Sequence, residues 1–396
     1  ATHHSCFGRP LHPRVRILAA VNPYRRRPEA DLADAPGLVY TLHGDGGDGA
    51  APPDPMAALV YRVHPVPHSL QQFVFDFGAL SDDQEAQYVR AMLGHRLGAL
   101  KKEGFAMTLP IDAQLALQLL LASQARVRAL ERDASAVSLR DVRRCCDLLG
   151  WFAAHLVPRA ASAKAKVTPL AAAMVLALSF VYYYRLPHAA AREAYWSKLV
   201  GTLTYQRTGS EAKFAKSGFA GFAQDGAFAR CLAQVQKRFA ANVEVEPGVA
   251  MNQALTENLF VGLVCILNKL PLFIVGKPGT SKTLTMQVIT SNLLGQQSPR
   301  EFFRKFPAIH VVQYQCSPMS SSDAIQRQYE MACRYQAHAH DTLTCLLLDE
   351  VGLAEHSPDM PLKVLHSILV HPPIAIIGLS NWALDPAKMN RAVCIR

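Results

Sequence analysis

Short apolar runs and helical patterns alternate along the last 150 or so residues of the chain. Four runs have the length and composition of buried strands, at residues 271–275, 309–314, 343–348 and 375–379. Between and before them lie helical patterns: an amphipathic one at 252–270, then 284–294, 322–336 and 361–370. Alternation of this kind predicts an α/β fold, with a parallel sheet covered by helices on both faces.

The earlier part of the chain is mainly helical in pattern. Two short strands are predicted before the helices, at residues 16–21 and at 59–66. Asn22 directly follows the first of them. Three helices follow, and capping-box signals mark the first and the third of them. Their sequence markers are Ser81 with Gln84, the pattern over 112–132, and Ser138 with Asp141.

A change of composition separates these helices from the next group. Residues 153–168 are rich in Ala, Lys and Pro, which is typical of a linker, and residues 169–240 are again mostly helical in pattern. The run 167–184 carries no charge and is barely long enough to span a bilayer. It is Ala-rich and contains Thr168 and Pro169, so we expect a buried helix and no membrane span.

The loop after the first strand of the α/β region carries the main chemical signal. Strand, glycine-bearing loop, Lys-Thr and helix form the layout of a phosphate-binding loop. In such a loop backbone N–H groups and the helix N-terminus bind phosphate oxygens, the lysine reaches the β- and γ-phosphates, and the hydroxyl binds Mg²⁺. The residues are Gly276, Lys277, Pro278, Gly279, Thr280, Ser281, Lys282 and Thr283, with Ser281 where a glycine is usual.

Two later strands end in residues that complete such a site. Asp349 and Glu350 follow the strand at 343–348, as in a Walker B element, where Asp349 would hold Mg²⁺ and Glu350 would polarise the attacking water. Asn381 follows the strand at 375–379 and could hold that water or the γ-phosphate. Three such elements in this order predict a P-loop ATPase core that uses ATP and Mg²⁺.

Composition and charge limit the classes of protein and of partner that fit this sequence. The chain has 396 residues, enough for two or three domains, and a net charge of +10. The charge permits a nucleic-acid motor, but the sequence has no groove-reading motif and no basic strip interleaved with aromatic residues, so no nucleic-acid partner is expected. The nine cysteines include no CxxC, which predicts neither a disulfide framework nor a zinc site and favours a reducing, cytoplasmic setting.

Several motifs together resemble one family, the mysterin-type giant AAA+ ATPases that are also ubiquitin ligases. The resemblance covers residues 15–155 and 245–396 and is weakest in the connector between them. It is carried by the phosphate loop GKPGTSKT, by QCSP at 315–318, by LDEVGLAE at 348–355 and by SNWALDPAKMNR at 380–391.

The resemblance implies that the chain is a fragment spanning two consecutive AAA+ modules. Residues 1–155 would be the C-terminal part and helical lid of one module, 156–244 a helical connector, and 245–396 the α/β nucleotide-binding core of the next, without its lid. By matching motif positions, Asn22 and Arg140 would be the sensors of the first module and Asn381 sensor 1 of the second. Arg391 and Arg396 are the candidates for an arginine finger that acts on a neighbouring module's nucleotide.

The predicted function is Mg²⁺-dependent ATP binding and hydrolysis within an intramolecular ring of AAA+ modules. Ubiquitin-ligase activity and its ubiquitin partners could belong only to a longer parent chain, because no RING-like Cys/His spacing occurs here. A nucleotide-locked scaffold that binds ATP without hydrolysis remains an alternative, although Glu350 argues against it. Alone, the fragment is expected to bind ATP and hydrolyse it weakly, since the finger for its own site would come from a neighbour.

Overall fold

The computed structural model of the protein describes most of the chain beyond residue 80 and parts of it before. The described residues are 5–6, 9–10, 12, 14–22, 24, 59, 61, 63–78, 80–103, 110–156, 167–339, 341–355, 357 and 359–396. They form two compact units, residues 1–80 and residues 81–396. The functional residues of the α/β region all lie in the second unit.

The first unit contains little regular structure among its described residues. Ser5–Cys6 pairs antiparallel with Arg9–Pro10, and His68–Gln71 forms one helical turn. The predicted strand at 16–21 is wrong: the backbone there is irregular, and the Leu18 side chain is 98% exposed. The described part of 59–66 also holds no strand. A strand requires a continuous ladder of paired residues, and in the described part of these two segments the only bridge is at Leu59.

The second unit begins with three helices at the predicted positions. They are α1 (Asp82–Lys102), α2 (Pro110–Glu131) and α3 (Leu139–His155). The capping box at α1 is confirmed, because Gln84 N donates to Ser81 Oγ at 3.3 Å and Ser81 N donates to Gln84 Oε1 at 3.0 Å. The box at α3 is confirmed as well, with Ser138 N donating to Asp141 Oδ2 at 2.8 Å.

A second group of helices follows, and the uncharged run lies at its start. That run forms α4 (Pro169–Leu178), which continues into a π-helical turn, Ser179–Tyr183, and both are buried, as predicted. No helix in the described part of the chain combines the length and apolarity needed to cross a bilayer. The remaining elements are α5 (Ala189–Gly209), a short helix Glu211–Ala215, a 3₁₀ turn Ala220–Ala223 and α6 (Ala227–Ala240).

Helix α7 (Gln253–Leu267) connects this helical group to the sheet. It was expected to be amphipathic, but every residue from Glu257 to Ile266 is buried. The helix packs on the sheet and also on α6, so beyond its first turn it has no solvent face, which corrects the prediction.

Five parallel strands form the sheet. They are β1 (Leu272–Val275), β2 (Ala308–Gln315), β3 (Thr342–Asp349), β4 (Ala375–Ser380) and β5 (Val393–Ile395), in the spatial order β2-β3-β4-β1-β5. The first four match the predicted strands, and β5 was not foreseen. Val275 at the end of β1 lies opposite Ser380 at the end of β4, so the two strands end at the same edge.

Helices and apolar layers cover both faces of the sheet. Successive side chains of β1 lie on opposite faces of the sheet. Leu272 and Ile274 pack in the core shared with α1–α7, and Phe273 packs in the core on the other face. The remaining elements are α8 (Lys282–Asn292), α9 (Ser322–His338), 3₁₀ turns Gly295–Gln297 and Pro361–Val364, and short helices Glu301–Arg304, Val351–Glu355, Leu365–Ile368 and Pro386–Met389. The predicted α/β class is confirmed.

One helix of this region is shorter and less regular than the pattern at 361–370 predicted. It consists of the 3₁₀ turn Pro361–Val364 and the helix Leu365–Ile368. His371 has a left-handed backbone conformation, with φ of 56°, and two prolines follow it directly. Proline cannot continue a helix and disfavours helical geometry in the residue before it, so the helix ends early.

Candidate nucleotide-binding site

The phosphate loop is fixed to the sheet edge at its first residue. Gly276 N donates to the carbonyl of Ser380 at the end of β4, at 3.1 Å. A Cβ placed on Gly276 would lie 2.7 Å from Thr280 Oγ1, so only glycine permits the loop to fold back this tightly. Gly279 has φ of +84°, a conformation that glycine adopts without steric cost. Both glycines therefore have a structural reason to be in the loop.

The Lys282 ammonium lies over this loop. Its Nζ donates to the carbonyl oxygens of Gly276 at 2.6 Å and Lys277 at 2.9 Å. Burial lowers the Lys282 pKa, while the nearby carboxylates of Asp349 and Glu350 act in the opposite direction. The predicted lysine and both predicted carboxylates are thus brought together at the same end of the sheet.

A buried amide from α7 supports the loop from behind. Asn258 is 6% exposed and its Nδ2 donates to the carbonyl of Thr280 at 3.2 Å, while Thr280 Oγ1 donates to the carbonyl of Lys277 at 2.8 Å. Sequence reasoning missed Asn258. The available signal was weak: Asn258 directly precedes the unbroken apolar run 259–267, and a polar residue that is buried normally requires a hydrogen-bond partner.

Ser281 explains why a glycine is usual before the lysine. Its backbone is left-handed, with φ of 59° and ψ of 23°, immediately before α8. For a residue with a Cβ this conformation costs roughly 1–2 kcal/mol, whereas glycine adopts it freely. The Ser281 carbonyl accepts from both N and Oγ1 of Thr285, at 2.9 and 2.7 Å, so the helix fixes the strained residue in place.

Replacing Ser281 with glycine is expected to stabilise the protein by up to about 1 kcal/mol, because the steric cost disappears. Calorimetric melting should show a Tm increase of roughly 2 °C for a protein of this size. Ser281→Ala is the matched control: it keeps Cβ and removes a hydroxyl that makes no capping bond to α8, so its Tm should not change. A loss of stability in the alanine variant would instead assign a role to the hydroxyl.

Asp349 and Glu350 lie at the carboxyl end of β3 and face residues of β2. The Asp349 carboxylate accepts from Glu350 N at 2.9 Å and from Gln313 Nε2 at 3.5 Å. Gln315 Nε2 donates to Glu350 Oε2 at 3.1 Å. Glu350 is exposed and has φ of 49°, an uncommon conformation for a non-glycine residue that is often found at functional sites. The two glutamines were missed from the sequence, because only the pairing of β2 with β3 brings them here.

Asn381 extends the same edge. It follows Ser380, which pairs with Val275 at the base of the phosphate loop, and its side chain is half-buried. The turn after Ser380 is tight, with Ser380 Oγ donating to the carbonyl of Trp382 at 2.6 Å. A Cβ on Gly352 would lie 2.6 Å from Ser380 Oγ, so the segment after Glu350 packs closely against this turn.

The two candidate finger arginines lie in different environments. Arg391 is half-buried, and one of its Nη atoms donates to the carbonyl of Ala387. Its pKa is lowered first by burial and then by the positive charge of Arg140, while the Asp385 carboxylate acts in the opposite direction. Arg396 instead lies against both groups of helices: a guanidinium nitrogen is 3.9 Å from the Glu131 carboxylate at the end of α2, and its backbone N donates to the Tyr184 carbonyl in the second group.

Direct contacts hold helix α3 against the segment that carries Arg391. Arg144 pairs with Asp141 at 2.9 Å and also donates to the carbonyl of Asn390 at 3.1 Å. Asn390 Nδ2 donates to the carbonyl of Ser135 at 2.7 Å. These bonds explain why Arg140, in the first turn of α3, is close to Arg391. Asn22 lies exposed in the other compact unit.

The oxygen donors at the loop are of the kind that Mg²⁺ takes. Thr283 lies exposed in the first turn of α8, and Asp349 Oδ2 has only the long 3.5 Å contact to Gln313. Within the described residues no group of three or more His, Cys, Asp and Glu side chains is placed to hold a metal. Two protein oxygens are nevertheless sufficient for Mg²⁺, which keeps several waters and also binds substrate phosphates.

Comparison with known proteins gives relatives that match nearly the whole chain. The zebrafish (Danio rerio) E3 ubiquitin-protein ligase rnf213-beta is 34% identical over 96% of this chain and 7% of its own length. The human E3 ubiquitin-protein ligase RNF213 is 32% identical over 99% of this chain and 8% of its own length. The chain therefore spans less than a tenth of the length of these relatives.

A solved structure and a family model give two further comparisons. A solved structure of Rhizobiales Trip13 covers 53% of this chain and 66% of that chain, at 18% identity and a TM-score of 0.21. This similarity is too low to support a fold assignment, which therefore rests on the sheet and on the family match. Residues 248–396, which contain all five strands and the phosphate loop, match the family described as RNF213 AAA domain. The chain belongs to the RNF213, or mysterin, family of AAA+ proteins.

Proposed function

We propose that residues 245–396 bind ATP with Mg²⁺ and hydrolyse it. The observation that carries the proposal is the convergence at Lys282: its ammonium lies on the loop carbonyls while the Asp349 and Glu350 carboxylates act on its charge from across the site. The site combines a cation, two carboxylates and a glycine-bearing loop at a helix N-terminus. These groups suit a nucleoside triphosphate with its bound metal.

Each residue then has a defined task. Backbone N–H groups of 276–283 and the Lys282 ammonium bind the phosphates, and Thr283 and Asp349 hold Mg²⁺, which would neutralise phosphate charge. Glu350 orients the attacking water and accepts its proton, with Gln315 fixing the carboxylate through its 3.1 Å hydrogen bond. Asn381 lies at the tip of the neighbouring strand, where it can hold the same water or the γ-phosphate.

We further propose that Arg391 is the finger and acts on a nucleotide held by a preceding module. The hydrogen bonds of Arg144 and Asn390 hold helix α3, which carries Arg140, against the segment that carries Arg391. The positive charge of Arg140 opposes that of Arg391, Asp385 acts in the opposite direction, and a bound anion would offset the repulsion further. The phosphate of a nucleotide is such an anion. This arrangement supports the division into a preceding lid (to 155), a connector (156–244) and a second core (from 245).

The larger assembly is also a proposal. The modules would form a ring within a longer chain. Ubiquitin ligation, the activity in the names of the zebrafish and human relatives, would depend on parts of such a chain outside these residues. A cytoplasmic setting is supported by the free thiols of the eight cysteines between 145 and 394.

Calorimetric titration of the 396-residue chain with Mg²⁺-ATP tests the central proposal, together with a steady-state hydrolysis assay. We expect saturable binding at one site and slow turnover, because a finger for this site is supplied by a neighbouring module. Absence of binding by the folded chain would contradict the proposal. Rapid turnover by the monomer would contradict the need for a neighbour's finger.

A further inference from the structure

A buried cluster of charges lies beside the nucleotide site and outside the phosphate loop. Glu355, Asp385 and Lys388 have side chains that are only 6–7% exposed. Lys388 Nζ lies 2.7 Å from Glu355 Oε1 and 3.8 Å from Asp385 Oδ2. None of these residues belongs to the proposed phosphate, metal or finger positions.

The Glu355 carboxylate also holds the backbone of the facing segment. Asp385 N donates to both Glu355 oxygens, at 3.2 and 3.1 Å. Asp385 Oδ1 in turn accepts from Ala387 N at 2.7 Å, which caps the helix Pro386–Met389. A buried ion pair rarely stabilises more than apolar residues of the same size, although removing one partner is costly. Stability alone therefore gives little reason for charges here, whereas fixed geometry does.

Each residue of this ion pair lies close in sequence to a residue of the proposed reaction, Glu355 to Glu350 and Lys388 to Arg391. Glu355 ends the short helix that begins directly after Glu350, where Leu353 N donates to the Glu350 carbonyl at 2.9 Å. On the other side, Arg391 N donates to the Lys388 carbonyl at 2.9 Å. One hydrogen-bonded turn thus separates each charged partner from Glu350 or from Arg391.

We propose that Glu355 and Lys388 are positioning residues, whose buried ion pair fixes Arg391 relative to the Glu350 end of β3. This inference rests on the proposed role of Arg391 as a finger. The pair sets the distance between the residue that activates water at this module's site and the arginine that reaches another module's nucleotide.

The test compares Lys388→Met with the double variant Glu355→Gln/Lys388→Met in the full-length protein. The single variant leaves the buried carboxylates of Glu355 and Asp385 without the Lys388 ammonium and should lower the melting temperature by several degrees. The double variant removes both charges at similar volume and should recover most of the melting temperature. If the pair positions Arg391, kcat should stay about 10-fold or more below that of the unmutated protein even though stability recovers.

A double-mutant cycle with Arg391→Ala separates positioning from a general structural role. In the Arg391→Ala background the Glu355→Gln/Lys388→Met change should lower kcat no further, since it acts through the missing arginine. Mg²⁺-ATP affinity at the phosphate loop, measured by calorimetry on the 396-residue chain, should remain within about twofold in all variants.

Three outcomes would overturn the inference: recovery of kcat together with stability in the double variant, an effect that adds fully to that of Arg391→Ala, or loss of ATP affinity. If Arg391→Ala itself leaves kcat unchanged, the finger proposal fails first, and this inference fails with it. If Arg391→Ala lowers kcat and the double variant does not, only the positioning role is lost.

Discussion

Lys282→Ala is expected to lower the affinity of the chain for Mg²⁺-ATP by about 100-fold or more. Hydrogen bonds to charged groups contribute about 1.5–3 kcal/mol each, and the ammonium is proposed to bind oxygens of two phosphates. A loss of about 3 kcal/mol corresponds to a factor of about 100 in Kd. The charges of Asp349 and Glu350 also act on the Lys282 ammonium, and its removal leaves these carboxylates to repel the nucleotide.

Two variants turn this expectation into a test of mechanism. Lys277→Ala is the matched control: it removes the same charge from the same loop, but its side chain is exposed and only its carbonyl contacts Lys282. Its Kd should change by less than about threefold, as expected for an exposed charge. Equal losses of affinity in the two lysine variants would indicate general charge attraction instead of a phosphate site.

Glu350→Gln should keep the affinity for Mg²⁺-ATP and lower the rate of hydrolysis by about 10²-fold or more, the usual effect of losing a general base.

The strands of the core could be predicted because each carries its own local signal. β1, β3 and β4 are buried between two layers of helices, so nearly every residue in them is apolar. β5 has only three residues, Val393–Ile395, and becomes a strand through its pairing with β1. The opposite error occurred at residues 16–21, where an apolar run predicted a strand but the described backbone is irregular.

The residues of the candidate site also fall into two groups, those with a local sequence signal and those without one. Its loop and carboxylates were foreseen because strand, loop and helix are neighbours in sequence, and spacing along the chain carries their relation. Asn258, Gln315 and the Glu355–Lys388 pair were not, because each acts across contacts between elements at least 22 residues apart. Their types gave a weak signal, since a buried polar residue must have a partner. Only the fold identifies which partner it has.

In the longer parent protein proposed above, Arg391→Ala is expected to lower hydrolysis at the preceding module by about 10³-fold or more, as for other arginine fingers. The reason is that the guanidinium would stabilise the charge that develops on the transferred phosphoryl group, together with Arg140. Binding of Mg²⁺-ATP to the loop at 276–283 should stay unchanged, because Arg391 belongs to the surface packed against α3. Single-turnover hydrolysis with the other modules inactivated at their own lysines measures the first quantity, and calorimetry on the 396-residue chain measures the second.

Arg396→Ala is the matched control for this prediction, because Arg396 was the other finger candidate and directly follows β5. Its guanidinium lies 3.9 Å from Glu131 and its backbone is bonded to Tyr184 and Arg192, so it is engaged within the helical group. We expect it to change stability more than hydrolysis. Unchanged hydrolysis in Arg391→Ala would exclude that residue as the finger, and a large loss in Arg396→Ala alone would transfer the role to Arg396. Equal losses in both would mean that the two arginines act through the packing between α3 and the core, and not through contact with a phosphate.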